Sequence, residues 1–189
     1  MSDLVLVSGG SGFMAAHIIV QLVAAGYRVR TTVRSAGRAA VVRDMLIDLI
    51  RRLVAGQMPA CPDLWFGVVD VRDAAGLHLL VMASPEAAGE RFICTQGGAV
   101  SMLAIARELK ARLGTRGVRV PTRRLPNLVV RAIGVVNPEM KSLIPLLGKA
   151  RSATSAKAVR RFGWQPRAWE DAVLASAESL FELGVIEAR

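Results

Sequence analysis

Residues 4–34, LVLVSGGSGFMAAHIIVQLVAAGYRVRTTVR, hold the tightest constraint on this chain. No charged residue occurs between Leu4 and Tyr27, and the run is broken early by a cluster of glycines. Leu4, Val5, Leu6 and Val7 predict a short strand, buried on both faces as strands of a parallel sheet are. Gly9, Gly10 and Gly12 follow, then an apolar run of helix length to Ala25. Gly26 ends that run, and residues 27–34 predict a second strand. Strand, glycine turn, helix and strand in this order form the first half of a dinucleotide-binding unit.

The spacing has a chemical reason. A pyrophosphate must approach backbone N–H groups at a helix N-terminus, and side chains at the turn would block it. Gly9, Gly12 and Ala15 stand three apart. Ala15 takes the place of a third glycine, where helix packs on strand and a methyl group is tolerated. Phe13 and Met14 are expected to point into the fold behind the turn. At the end of the second strand, an NAD-binding chain offers Asp or Glu to the ribose 2′-OH. This one offers Val33-Arg34-Ser35, and arginine suits a 2′-phosphate, so NADP is favoured over NAD. The candidate cofactor-binding residues are Gly9, Gly12, Phe13, Met14 and Arg34.

At 189 residues the chain is long enough for one domain with a sizeable core. Hydrophobic residues make up 52% of it, which raises the question of a membrane span. Positions 8–12 leave an uninterrupted apolar stretch shorter than the ~20 residues a span needs, and no basic segment or cleavage site precedes it. The formal charge of +10 raises nucleic acid as a partner. The arginines, however, are spread over the polar faces of predicted helices with no aromatic residues interleaved, so no nucleic acid is expected. Cys61 and Cys94 lack metal-type spacing and read as ordinary thiols of a reducing, cytoplasmic compartment. His17 and His78 are too few and too scattered for a metal site.

SGGSGFMAAH followed by GYRVRTTVRS resembles the opening of dihydroflavonol reductase-like and bacterial aldehyde reductase-like enzymes. These belong to the extended short-chain dehydrogenase/reductase (NAD-dependent epimerase/dehydratase) superfamily. LVAGQMPACPDLWFGVVDVRDAAGLHLLVM, GERFICTQG and RFGWQPR match later family motifs in the same order, so the resemblance runs over nearly the whole chain. It implies an NADP-dependent oxidoreductase that reduces an aldehyde or ketone. It also exposes a departure. In the family a long central segment separates TVRS…RDML from the helix ahead of VDVRD. Here RAAVVRDML runs straight into IDLIRRLVAG, with a junction near residues 46–47. The missing segment supplies the middle strands of the family sheet, together with the Ser and the Tyr-x-x-x-Lys pair that carry the chemistry. The chain has one tyrosine, Tyr27, followed four positions on by Thr31, and its lysines are Lys110, Lys141, Lys149 and Lys157. No Tyr-x-x-x-Lys exists, and proton transfer of that kind is worth ~10²–10⁴-fold.

The fold expected is α/β: a truncated Rossmann-like NAD(P)-binding fold whose parallel sheet lacks its central strands, plus a mostly helical C-terminal remnant of a substrate domain. Residues 1–46 form the dinucleotide-binding half and residues 47–189 the remainder. The function expected is a catalytically inactive nucleotide-binding remnant with no catalytic residue. The alternatives are an interaction module that pairs through an exposed strand, an active reductase with other residues in place of the missing pair, and a non-functional deletion product.

Residues 38–55 predict one helix across the junction, about 27 Å long at 1.5 Å per residue. Val42, Met45, Leu49 and Leu53 share its apolar stripe, Asp44 and Asp48 can pair with Arg43, Arg51 and Arg52 on the other face, and Gly56 is its stop. Residues 65–69 predict a short strand, and Asp70 or Asp73 caps a helix running to about Met82, on which His78 reads as a core residue. Residues 90–95 and 118–120 predict strands, 101–113 an amphipathic helix, and 126–136 a helix broken at Asn137-Pro138. Residues 141–152 read as a linker, 154–162 and 168–183 as helices, and Trp164 and Trp169 as packing anchors. In this arrangement the first strand becomes a sheet edge. Uncovering two of its apolar residues costs about 3–6 kcal/mol, against a total stability of ~5–15 kcal/mol. The strands at 65–69 and 90–95 are the candidate replacement partners; without them, two chains pair edge to edge or the protein is poorly soluble.

Overall fold

The computed structural model of the chain describes residues 3–8, 13–32 and 45–186. Along them run β1 (Leu4–Ser8), α1 (Phe13–Ala24), β2 (Arg28–Thr32), α2 (Met45–Val54), β3 (Trp65–Phe66), α3 (Val71–Ala83), β4 (Val100–Ser101), α4 (Met102–Arg112), α5 (Asn127–Ile133), α6 (Pro138–Leu143), α7 (Ala156–Phe162) and α8 (Trp169–Glu182). The chain divides into two compact units. The first comprises Met1–Arg43, Val69–Thr95 and Thr154–Arg167; the second comprises Asp44–Val68, Gln96–Ala153 and Ala168–Arg189.

In the first unit β1 and β2 pair in parallel, from Leu4 opposite Arg28 to Ser8 opposite Thr32. The helix α1 connects them and lies against both. It ends where Gly26 predicts. Gly26 has φ +85°, its amide bonds the Val23 carbonyl, and the Tyr27 amide bonds that of Leu22, so a left-handed glycine satisfies the carbonyls of the last turn. α3 packs on α1, where Gln21 Nε2 donates to the Arg72 carbonyl at 2.9 Å. Leu77 of α3, Ala158 of α7 and Trp164 form a small buried cluster with Phe92 and Phe162 against it. Residues 90–95 join no ladder among the described residues, which corrects the strand expected there. Side chains hold them instead: Lys157 pairs with Glu90, donates to the Arg91 carbonyl at 3.2 Å, and stands 4.7 Å over the Phe92 ring.

Among the described residues no further strand joins β1. Leu4 and Leu6 are 53% and 63% exposed, on the face they share with Arg28 and Arg30. Val5, Val7 and Val29, on the opposite face, are half-buried. The strand buried on both faces is therefore not found: double burial needs a layer on each side of the sheet. Neither candidate replacement pairs with β1, since β3 pairs antiparallel with β4 and residues 90–95 are unladdered.

The core of the second unit comes from α2, α4 and α8, which pack on one another. Ile50 and Leu53 of α2, Ile105 and Leu109 of α4, and Val173, Ala177 and Leu180 of α8 recur at helical spacing and are buried together. On the outer face of α2, Asp48 pairs with Arg51 at 2.9 Å and Arg52 at 2.8 Å. Gly56, at φ +69°, closes that helix in the same way as Gly26 closes α1. Of the helix expected over 38–55, residues 45–54 are described as helical. Ser101 caps α4, its Oγ accepting from the Ala104 N–H at 3.1 Å.

Two expectations fail in this unit. Residues 118–120 are a turn rather than a strand: the Val118 and Val120 amides bond the carbonyls of Thr115 and Gly117, so the backbone closes locally. Pro138 opens α6, and Asn137 Oδ1 accepts from the Met140 N–H at 3.2 Å. Proline suits a first helical position, where its missing N–H costs nothing, so part of the expected linker is helix.

Candidate nucleotide-binding site

Because β1 and β2 are parallel and in register, their C-terminal residues Ser8 and Thr32 stand side by side. Thr31 Oγ1 donates to the Val7 carbonyl at 2.9 Å and ties the strands together beside that end. Residues 9–12 link the end of β1 to Phe13 at the start of α1. Ligands of open α/β sheets bind outside the carboxyl ends of the strands, where a helix N-terminus presents free N–H groups. Gly9, Gly12 and Arg34 lie outside the described residues, as does the Phe13 side chain, although Phe13 itself opens α1. Met14 is 43% exposed, which corrects the expectation that it points into the fold. The covered stripe of α1 runs through Ala15, Ile18, Ile19 and Leu22, and Met14 stands about 100° round the helix from Ala15.

The opposite end of the sheet carries Tyr27. It precedes β2, roughly 16 Å of strand away from Thr32 at ~3.3 Å per residue. Tyr27 lines a cavity of about 450 Å³ with Leu80, Met82 and Trp164. The single phenol of the chain is thus at the wrong end of β2 to meet a ligand beside Thr32.

Asp70 and Asp73 sit in a helix cap and in ion pairs. Asp70 caps α3, its Oδ1 accepting from the Arg72 N–H at 2.8 Å and from Arg72 Nε at 2.9 Å. The Arg72 guanidinium holds the Asp70 carboxyl below the usual range against the opposing effect of burial. Asp73 pairs with Arg167, accepts from the Arg167 N–H at 2.7 Å, and offers its carbonyl to Trp164 Nε1 at 3.0 Å. His78 is a correction: it lies on the exposed side of α3, not in the core. Its Nδ1 is 2.7 Å from the Ala74 carbonyl, a contact that requires the proton on Nδ1.

Burial raises the Cys94 thiol and pushes Cys61 up to about 11. Both therefore stay protonated at neutral pH, and neither is an activated nucleophile. Among the described residues no group of three or more His, Cys, Asp and Glu could hold a metal ion, and no helix is long and apolar enough to cross a membrane. One cavity went unforeseen in the sequence: in the second unit Arg51, Arg116, Arg119 and Phe181 line a space of about 430 Å³. Arg51 and Phe181 are too far apart in the chain for spacing to associate them.

No protein-family model matches the chain. It is 61% identical over 46 residues to an uncharacterised oxidoreductase of Schizosaccharomyces pombe. It is 54% identical over 38 residues to aldehyde reductase 2 of Sporidiobolus salmonicolor. These matches take in 24% and 20% of this chain and span only 12% and 11% of the two relatives. Among solved structures, that of gox2253 is similar with a TM-score of 0.59 at 18% identity, over 92% of this chain and 55% of that one. Yeast methylglyoxal/isovaleraldehyde reductase Gre2, complexed with NADPH, is similar with a TM-score of 0.51 at 14% identity, over 97% of this chain and 65% of that one. At such identities the likeness is one of fold: this chain has a mixed α/β, Rossmann-like fold with a small parallel sheet.

Proposed function

We propose that this chain binds a nicotinamide dinucleotide, NADP(H) in preference to NAD(H), and does not turn it over. The observation that supports this most is the parallel β1–α1–β2 unit, with a glycine-bearing connection of four residues running from the end of β1 to the start of α1. The residues fit the phosphate side of the cofactor. Gly9 and Gly12 would offer backbone N–H groups to the pyrophosphate, Phe13 and Met14 would follow at the helix start, and Arg34 would meet the 2′-phosphate. The bound cofactor supplies a hydride. This chain's own contribution is binding and orientation, because the sequence contains no Tyr-x-x-x-Lys to protonate a developing alkoxide. In this reading the chain is a truncated relative of dihydroflavonol reductase-like enzymes with a deletion near residues 46–47. Residues 1–46 form its nucleotide half, and its setting is cytoplasmic.

Calorimetric titration with NADPH and NADH, alongside steady-state oxidation of NADPH with an aldehyde panel, tests the proposal. The expected outcome is saturable NADPH binding, weaker NADH binding, and no sustained oxidation. Gly12→Val, which fills the phosphate approach, weakens NADPH binding by about tenfold or more. No binding at millimolar NADPH removes the cofactor assignment. Steady turnover that Gly12→Val abolishes removes the inactivity.

A second reading has its own observation. The edge of β1, which no further strand joins among the described residues, and the exposed Leu4 and Leu6 beside it suit pairing with a second copy of the chain, since an open apolar strand edge is a template for another strand. Light scattering of the purified chain decides: a concentration-dependent dimer supports it, and a monomer throughout removes it.

A further inference from the structure

Among the described residues, the charged side chains that line the cavity of the second unit are all cationic. Arg51, Arg116 and Arg119 line about 430 Å³ of space together with Thr115, and Phe181 and Ile186 are apolar walls. Arg51 binds Asp48 through Nε and Nη2 at 3.1 and 2.9 Å. Asp48 also holds Arg52 at 2.8 Å, so one carboxylate answers two guanidiniums. Arg116 lies 4.8 Å over the Phe181 ring. A guanidinium over a ring face can still use its N–H groups toward an anion. Neither Arg116 nor Arg119 forms an ion pair with a described residue.

Like charges around one space repel, and an oxyanion relieves that repulsion while taking up forked donors. A dianion answers several guanidiniums better than a single negative charge does. The apolar walls favour an apolar body attached to the anion, and the volume is within the range of small-ligand sites. We propose that this cavity binds a small phosphate monoester with an aromatic or aliphatic body, at a site in the second unit that shares no residue with the glycine turn.

Phenyl phosphate titrated into the full chain, followed by amide chemical shifts and calorimetry, is the test; inorganic phosphate and benzyl alcohol are the comparison arms. The expected result is saturable binding of phenyl phosphate with shifts at the Thr115 and Phe181 amides. Inorganic phosphate binds about tenfold more weakly, and benzyl alcohol does not bind. Arg116→Gln and Arg119→Gln each weaken phenyl phosphate by about tenfold with helicity unchanged, both side chains being exposed. Arg131→Gln, exposed elsewhere in the unit, has no effect. NADPH binding that survives the Arg116/Arg119 double change keeps the two sites distinct. The proposal is overturned by a lack of saturable binding, by equal binding in the double variant, or by inorganic phosphate binding as tightly as the ester.

Discussion

The first unit holds the longest charge-free stretch of the chain, yet it covers that stretch poorly; the second has no charge-free stretch of that length and the better core. Between residues 4 and 23, Leu4, Leu6, Val20 and Val23 are each more than half exposed. In the second unit Ile50, Leu53, Met102, Ile105 and Ala177 are 0% exposed. Hydrophobicity is the same force in both, and what differs is the number of layers. Three helices that pack on one another each present a stripe to the other two, so every stripe finds a partner. In the first unit α1 lies on one face of the β1–β2 pair, and among the described residues Leu4 and Leu6 on the other face are left exposed. Burial therefore follows from how elements are stacked, and an apolar sequence only makes it available.

The largest effect expected from this contrast is in the closed core. Leu53→Ala empties a fully buried site between α2 and its neighbours, and should lower urea-unfolding stability by about 2–5 kcal/mol. A loss near zero would mean that the core of the second unit is no better formed than the open sheet. The two helix-ending glycines sharpen the comparison. A Cβ at Gly56 would stand 2.9 Å from Arg119 Cβ at φ +69°, whereas a Cβ at Gly26 meets nothing within 4 Å at φ +85°. Gly26→Ala should thus cost the left-handed penalty alone, about 1–2 kcal/mol. Gly56→Ala should cost about 1 kcal/mol more, because Arg119 must also move. Equal melting shifts would contradict the close approach at Gly56.

Asp70→Ala removes the cap of α3 and should cost about 1–2 kcal/mol at neutral pH. The Asp70 carboxyl is held below its ordinary value of 3.8, chiefly by its hydrogen bond with Arg72. Its contribution is therefore complete well above pH 3.8 and is lost as the pH falls through the lowered folded value. The gap in urea midpoint between wild type and Asp70→Ala should shrink as the pH is taken below 3.8; a gap that stays constant in acid would contradict the ion pair. The smallest effect is expected at the open face. Leu6→Ser should change stability by no more than about 0.5 kcal/mol and raise solubility, whereas a loss of several kcal/mol would show that this face is covered in solution.

Much of this architecture was legible in the sequence wherever the deciding physics is local. Gly26 and Gly56 end their helices because only a residue free of Cβ strain takes a left-handed cap. Asp70 starts α3 because its side chain can satisfy a free amide two residues on. The helices α7 and α8 fell where they were expected. Misreadings arose where the outcome depends on a partner. Residues 90–95 have the composition of a strand, but a ladder needs a neighbour. Asn137-Pro138 reads as a helix break, and the same two residues cap and open the next helix. His78 sits among leucines in sequence, while the helical turn carries it to the exposed side of α3. The cationic cavity was invisible for a related reason, since its walls come from α2, residues 115–119 and the end of α8.

Hydrogen–deuterium exchange of the full chain with and without saturating NADPH tests the central claim most directly, because it reports where the nucleotide is held. The account predicts slowed exchange at residues 9–14 and 31–34, at the carboxyl ends of β1 and β2, with the amides of α2, α4 and α8 unchanged. Unchanged exchange at residues 9–14, or protection confined to the second unit, would contradict it.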